Sequence, residues 1–275
     1  MRIRLEHTTT YDYQSPARWI VQILRLTPRA FEGQHVVRWR IEIDADATLR
    51  KGEDALGNIT HAAFVDGPLR RLTVSVKGEV ETWETHGVVR GCVERFQPEV
   101  FLRETTLTQP TADLRAFARE ATSGETDTLG RLHALMAGLH REVAFDVEPT
   151  QATTTAGEAF ALKRGVCQDH SHIFIAAARA LDIPARYVSG HLSPADGVVD
   201  QEAAHAWAEA FVPGLGWIGF DTANCLCATP SHIRVAIGLD YLGAAPVRGS
   251  RTGGGEERMD VHLHVAASAG QQTQA

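Results

Sequence analysis

At 275 residues, 44% hydrophobic and 22% charged, the chain has the size and composition of one large globular domain or two modest ones, with ample core. A formal net charge of -7 at pH 7 weighs against nonspecific binding to nucleic acid or to an anionic membrane surface, since both require a basic face. Four irregularly spaced cysteines (Cys92, Cys167, Cys225, Cys227) suit a reducing cytoplasm better than a disulfide framework.

The N-terminal MRIRLEHTTTYDY alternates charged and apolar residues where a secretory signal would run apolar, and no stretch is long enough to span a bilayer. From Arg2 to about Val93 the pattern is one of strands. Ile3, Leu5, His7, Thr9 and Tyr11 alternate with polar neighbours, Ser15-Pro16 marks a turn, and Trp19 to Leu26 forms a second run. Val37, Trp39, Ile41 and Ile43 alternate with Arg38, Arg40 and Glu42 in a third. A turn at Asp54 to Asn58 precedes strands over Ile59 to Val65 and Leu72 to Trp83. Period-two patterning with turns at this spacing predicts an antiparallel sandwich or barrel, its arginines and histidines lying on solvated faces.

Phe96 to Pro110 reads as a connection, and helices begin after it. Thr111 caps a short one, and Leu129, Leu132, Leu135, Met136, Leu139 and Val143 place an amphipathic helix over Thr128 to Val143. Thr155 to Glu158 fits a capping box that opens a third helix, with Gly165 as its stop. RGVCQDHSHIFIAAARAL, Arg164 to Leu181, then becomes almost wholly apolar from Ile173, and Pro184 forbids its continuation. Cys167 therefore falls on the first turn of a buried helix, where unpaired N–H groups and the helix dipole favour a thiolate. Beyond Pro184 the pattern returns to strand at ARYVSGHL (Ala185 to Leu192). A polar loop with Pro194, Ala195, Asp196 and Gly197 follows. Ala204 to Val212 and Trp217 to Asp221 form a hairpin, and Arg258 to Val265 a last strand.

A nucleophilic cysteine needs a base, and the base needs a group that fixes its tautomer. His205 and Asp221 are the candidates: they lie an even number of residues apart on paired strands, so a turn of even register near Pro213 puts them on one face. Each of the three residues also has a structural reading: a packed thiol, a satisfied sheet histidine, and a strand-end aspartate opening an Asx turn. Cys225-Leu-Cys227 with His232, or His170-Ser-His172, offers zinc ligands, but neither reaches four at a usual spacing. Trp207 and Trp217 share the parity of His205 and either wall a cleft or simply pack. Glu209 reads as a paired sheet carboxylate. No acidic calcium loop is evident.

GVCQDHSH (Gly165 to His172), ARYVSGHL, AHAWAEAFVPGLGWIGFD (Ala204 to Asp221), DTAN and HIRVAIGLDYLGAAPVRG (His232 to Gly249) together resemble the transglutaminase-like cysteine enzymes. TTTYDYQSPA and LRLTPR resemble the β-rich N-terminal region of their bacterial branch. The resemblance implies an α+β protein: an antiparallel β-sandwich-like domain over residues 1–105 and a papain-like, transglutaminase-like core over 106–265; the small and polar residues of 266–275 read as a disordered tail. It implies acyl transfer at amides, with Cys167 as nucleophile, His205 as base and then acid, and Asp221 as orienter, on a peptide or protein amide substrate and without cofactor or metal. Transfer to water is preferred, transfer to an amine is the second reading, and a noncatalytic peptide-binding scaffold the third; oligomeric state stays open. The backbone N–H of Cys167 supplies one oxyanion donor. The second is open, because Phe145-Asp146 stands where relatives often carry an aromatic or Tyr, and His170 replaces the family's usual aromatic.

Overall fold

The computed structural model describes residues 1–147, 150–193, 200–201 and 204–268. The chain opens with β1 (Arg2–Thr27), β2 (Gln34–Ile43), β3 (Ala47–Glu53), β4 (Ile59–Thr82) and a short β5 (Val88–Val89). Alternation of apolar and polar residues makes these strands, but the turn expected at Ser15-Pro16 is absent. β1 runs through it as one strand whose pairing with β4 jumps from Asp12↔Arg71 to Ala17↔Leu69. The extra residues form an irregularity that slips the alternation by one. Before it the odd positions Ile3, Leu5, His7, Thr9 and Tyr11 are buried, and after it the even positions Ile20, Gln22, Leu24 and Leu26. The first half of β1 pairs the second half of β4, which carries β2, and the second half of β1 pairs the first half of β4, which carries β3. Ile3, Leu5, Val74 and Val76 from one half and Ile20, Leu24 and Val65 from the other share one buried cluster, which gives the region its sandwich-like character. His7 is not on a solvated face. The alternation that buries Ile3 and Leu5 buries it too, and burial lowers its pKa to about 4.

The connection after β5 contains two short 3-10 turns, Pro98–Leu102 and Thr106–Thr108. Then come α1 (Ala112–Ala121), capped by the Thr111 side chain, and α2 (Thr128–Glu142), capped by Asp127. β6 (Ala144–Phe145), α3 (Ala156–Leu162), β7 (Arg164–Gly165) and α4 (Cys167–Ala180) follow. The Thr155–Glu158 capping box opens α3 as expected. The helix stops at Lys163, which takes the left-handed conformation (φ 55), and Gly165 belongs instead to β7, paired in parallel with β6.

The second sheet is antiparallel and built from β8 (Ala185–Leu192), β10 (His205–Val212), β11 (Gly216–Asp221), β12 (Leu226–Cys227) and β13 (His232–Gly238), in the order β12-β11-β10-β8-β13, with β5 also pairing β11. The two-residue β9 (Asp200–Gln201) belongs to the first sheet. The polar loop read at Pro194 to Gly197 lies outside the described residues. Ala206, Ala208 and Ala210 are fully or almost fully buried, and this small-residue face lets α4 lie close against β10. At the far end of α4, the buried Arg179 donates to the carbonyls of Phe101, Ala185 and Leu239 and to Thr108 Oγ1, which ties the helix to the connection and to β8.

α5 (Tyr241–Ala244), β14 (Val247–Gly253) and β15 (Glu257–Ser268) end the described chain. Residues 247–265, expected in the core, complete the first sheet: β14 pairs the second half of β1, and β15 pairs its first half from Arg2↔Ser268 to Tyr13↔Glu257. The tail expected from Ala266 is therefore strand as far as Ser268, because Arg2 to Arg4 offer it unpaired backbone; residues 269–275 lie outside the described residues. The two sheets meet through side-chain amides. Gln34 donates to the Arg234 carbonyl (2.9 Å) and accepts from its N–H (2.8 Å), and Asn58 does the same for Ile237 (2.8 Å each). The free edge of β13 is thus paired by residues of the first sheet, which blunts it against other strands. Among the described residues no helix is long and apolar enough to cross a membrane.

Candidate active site

Cys167 is the first residue of α4, half-buried, with Val166 as N-cap. The Val166 N–H donates to Asp169 Oδ2 at 2.8 Å, which fixes the entry of the chain into the helix, while the N–H groups of the first turn stay free of helical partners. Gly165 packs against that contact so closely that a Cβ there would lie 2.6 Å from Asp169 Oδ2.

The hairpin turns through residues 213–215, with Val212 facing Gly216 and Ala208 facing Phe220. Asp221 thus falls level with Trp207 and one diagonal step from His205, on the same face. His205 Nε2 donates to Asp221 Oδ2 at 2.7 Å, leaving Nδ1 for sulfur. Burial opposes charge on His205. Hydrogen bonds to Asp221 and to the Cys167 thiol outweigh it and push its pKa up to about 10. Asp221 is fully buried, which alone would raise its pKa; its bonds to His205, His232 and Asn224 hold it well below the carboxylate range instead. Asp221 also accepts from the Asn224 N–H at 3.2 Å, so it serves the turn as well as the histidine. His140 Nδ1 meets the Thr222 carbonyl at 3.2 Å and anchors the same turn to α2. Cys167, His205 and Asp221 therefore come together from three separated stretches.

Other candidates go elsewhere. Trp207 is buried, its ring 6.1 Å from that of His205 and 5.1 Å from that of His232, so it backs the imidazoles. Trp217 packs with Phe101 and under the Arg186 guanidinium (3.9 Å), away from the sulfur. Glu209 is fully buried and accepts from Arg186 Nε at 2.7 Å and Arg234 Nε at 2.6 Å, as a paired sheet carboxylate should. Burial works against its charge, but the two guanidinium groups bring its pKa down to about 2. His172 Nε2 accepts from the Tyr241 N–H, which separates it from His170 as a ligand. Phe145 is exposed in β6, its ring 6.4 Å from that of His170.

Sequence reasoning missed His232 as a partner of the site, weighing it only with Cys225 and Cys227. Its Nε2 meets Asp221 Oδ2 at 3.1 Å. His205, Asp221 and His232 also form a set of the kind that holds a metal ion. The donor chemistry argues otherwise. His232 Nδ1 accepts the Thr229 N–H at 3.0 Å, so Nε2 keeps its proton, whereas a histidine ligating through Nε2 must donate from Nδ1.

The residues match the transglutaminase-like superfamily over 115–222 and the bacterial transglutaminase-like N-terminal region over 3–81. The uncharacterized protein ML0607 of Mycobacterium leprae is 32% identical over 98% of this chain and 99% of its own length. A protein-glutamine gamma-glutamyltransferase of Pseudomonas aeruginosa is 31% identical over 39% of this chain and 17% of its own. The crystal structure of a putative cysteine protease from Cytophaga hutchinsonii superposes with a TM-score of 0.80 at 20% identity, covering 99% of this chain and 92% of that one. The fold is α+β with a transglutaminase-like core. The chain belongs to the transglutaminase-like superfamily and carries its bacterial N-terminal region.

Proposed function

We propose that this chain is a thiol acyl-transfer enzyme acting on amide bonds of peptides or proteins, in the reducing cytoplasm that its four free cysteines suit. The observation that carries the proposal is His205, bonded on one side to a buried carboxylate and on the other to a thiol at a helix start. A cationic ring beside that sulfur is the setting in which a thiolate is stabilised. Cys167 Sγ attacks the carbonyl carbon, and His205 Nδ1 protonates the departing amine as the C–N bond breaks. Water or a second amine then attacks the thioester, gives its proton to His205 and releases the sulfur. The Cys167 N–H faces the developing oxyanion as one donor. Asp221 keeps its charge throughout and holds the ring.

Hydrolysis is the preferred outcome, because water is always present. Transfer to an amine is the second reading, favoured by the partial similarity to a γ-glutamyltransferase. The test uses iodoacetamide first: Cys167 labels ahead of Cys92, Cys225 and Cys227, and activity falls with it. Preferential labelling of another cysteine removes Cys167 from the role. A glutamine peptide with a labelled amine then separates the outcomes. Label in the peptide marks transfer, and free acid without label marks hydrolysis.

A further inference from the structure

Asp221 has more partners than orienting one imidazole requires. Its Oδ2 accepts from His205 Nε2 at 2.7 Å, Asn224 Nδ2 at 2.8 Å and His232 Nε2 at 3.1 Å, and its Oδ1 accepts from the Asn224 N–H. These four donors match the roughly four acceptor sites of a carboxylate, three of them crowded on Oδ2. Asn224 reaches Asp221 from the same turn, so it comes with the local chain. His232 does not. It opens β13, which lies beyond β8 in the sheet, and reaches Asp221 across β10.

The tautomer of His232 is fixed by its other contact. A backbone N–H only donates, so the Thr229 N–H at 3.0 Å leaves Nδ1 without a proton and puts the proton on Nε2, aimed at the carboxylate. The Thr229 hydroxyl lies 3.2 Å from the same nitrogen. Trp207 crosses the His232 ring at 80°, 5.1 Å between centroids, and lies nearly parallel to His205 at 30°. One indole thus braces both imidazoles, and their centroids stand 5.9 Å apart. The side chain of His232 is 3% exposed, out of reach of any substrate.

We propose that His232 is a positioning residue of the site: as a neutral Nε2–H donor it holds the Asp221 carboxylate against His205, so that His205 Nδ1 stays presented to Cys167. This rests on the thiol acyl-transfer reading above. A fully buried carboxylate without enough donors is unfavourable and reorients or takes up a proton. Asn224 alone anchors Asp221 to its own turn. The bond from β13 adds a second anchor from another strand, which stops the carboxylate turning away from the ring.

Two substitutions separate the contacts of His232. His232→Gln retains an amide N–H that reaches Asp221, whereas His232→Asn retains an acceptor for the Thr229 N–H but falls short of Asp221. The probe is the rate of iodoacetamide alkylation of Cys167 at pH 6, where a thiol paired with an imidazolium reacts and an ordinary thiol scarcely does. We expect His232→Asn to slow alkylation on the order of tenfold, toward the rate of Asp221→Ala, and His232→Gln to stay near the parent rate. In an Asp221→Ala background His232→Asn should change nothing further. Equal slowing by Gln and Asn, a parent-like rate in Asn, or an additive loss without Asp221 would each overturn the positioning role. If Cys167 of the parent protein reacts at pH 6 no faster than the other three cysteines, the acyl-transfer reading itself fails, whatever His232 does. Thermal unfolding of each variant is measured alongside; if His232→Asn does not fold, His232→Leu, which loses both contacts, takes its place and must likewise slow alkylation on the order of tenfold.

Discussion

Burial by itself would strip His205 of its proton, yet two neighbours reverse that effect and carry its pKa to about 10. The reversal hangs on Asp221, the charged partner whose own desolvation is offset by the donors around it. Asp221→Ala removes the larger support, so burial regains control and the imidazolium is lost at lower pH. Turnover should drop on the order of a hundredfold or more, with the alkaline limb of the pH–rate profile moving to lower pH. The buried donors of His232 and Asn224 left without Asp221 should also lower the unfolding temperature, so the shift of the limb, read below that temperature, is what reports on His205. Unchanged turnover would take Asp221 out of the mechanism. At this scale the sequence was informative where spacing carried the signal: an even separation allowed His205 and Asp221 one face, and the register of the turn through 213–215, which spacing does not fix, realises it. His232 left no such trace, because its bond to Asp221 depends on β13 pairing with β8, and strand order is not written in local alternation.

α4 is positioned at both ends by polar side chains and along its length by small residues. At its start the Val166 N–H meets Asp169, and Gly165 has no Cβ because that carboxylate occupies the space. Gly165→Ala must push Asp169 out of its capping contact or shift the helix start. The expected result is a stability loss of about 1–3 kcal/mol by urea unfolding, with turnover falling more steeply than that loss explains, since Cys167 moves relative to His205. A stable variant of parental activity would show that the helix start tolerates displacement. The helices were legible because their caps are local: Thr111, Asp127 and the Thr155–Glu158 box each sit within one turn of what they satisfy. The long strands were not. Ser15-Pro16 has the composition of a turn and does break the pairing with β4, but the Gln14 and Ser15 N–H groups bond to the carbonyls of Glu256 and Gly254, and these tertiary contacts carry β1 through against the local preference.

Across the whole molecule, neutral buried histidines set the response to acid. Burial lowers His7 and His172 to about 4, and His191, facing His7 and His205, well below its ordinary value. The unfolded chain takes up protons near 6.5 and the folded chain refuses them. The stability these three contribute is thus full above about 6.5 and is lost as pH falls below it, for His7 and His172 down to about 4. His61 and His170 are lowered by burial as well, whereas His205 has the opposite sign, its contribution full below about 6.5 and lost as pH rises through about 10, so the lowered histidines outnumber it. The urea midpoint should be lower at pH 5 than at pH 7.5, and His7→Leu should flatten the difference; equal midpoints in the parent would contradict this account. The sheets depend on each other in a second way. β14 and β15 pair β1, and Gln34 and Asn58 satisfy the backbone of Arg234 and Ile237 at the edge of β13. A chain beginning at residue 106 keeps Cys167, His205 and Asp221 but loses β1, the long partner of both β14 and β15, leaving β15 only the two-residue β9, and leaves that edge bare. Unpaired edges and exposed apolar strand faces favour association over folding. The fragment should therefore show no cooperative urea transition and should bind a hydrophobic dye, and supplying residues 1–105 as a separate chain should restore both the transition and Cys167 alkylation at pH 6. A fragment that unfolds sharply on its own would mean that the second sheet is stable without the first, and that the strands returning from 247 to 268 are an attachment to it.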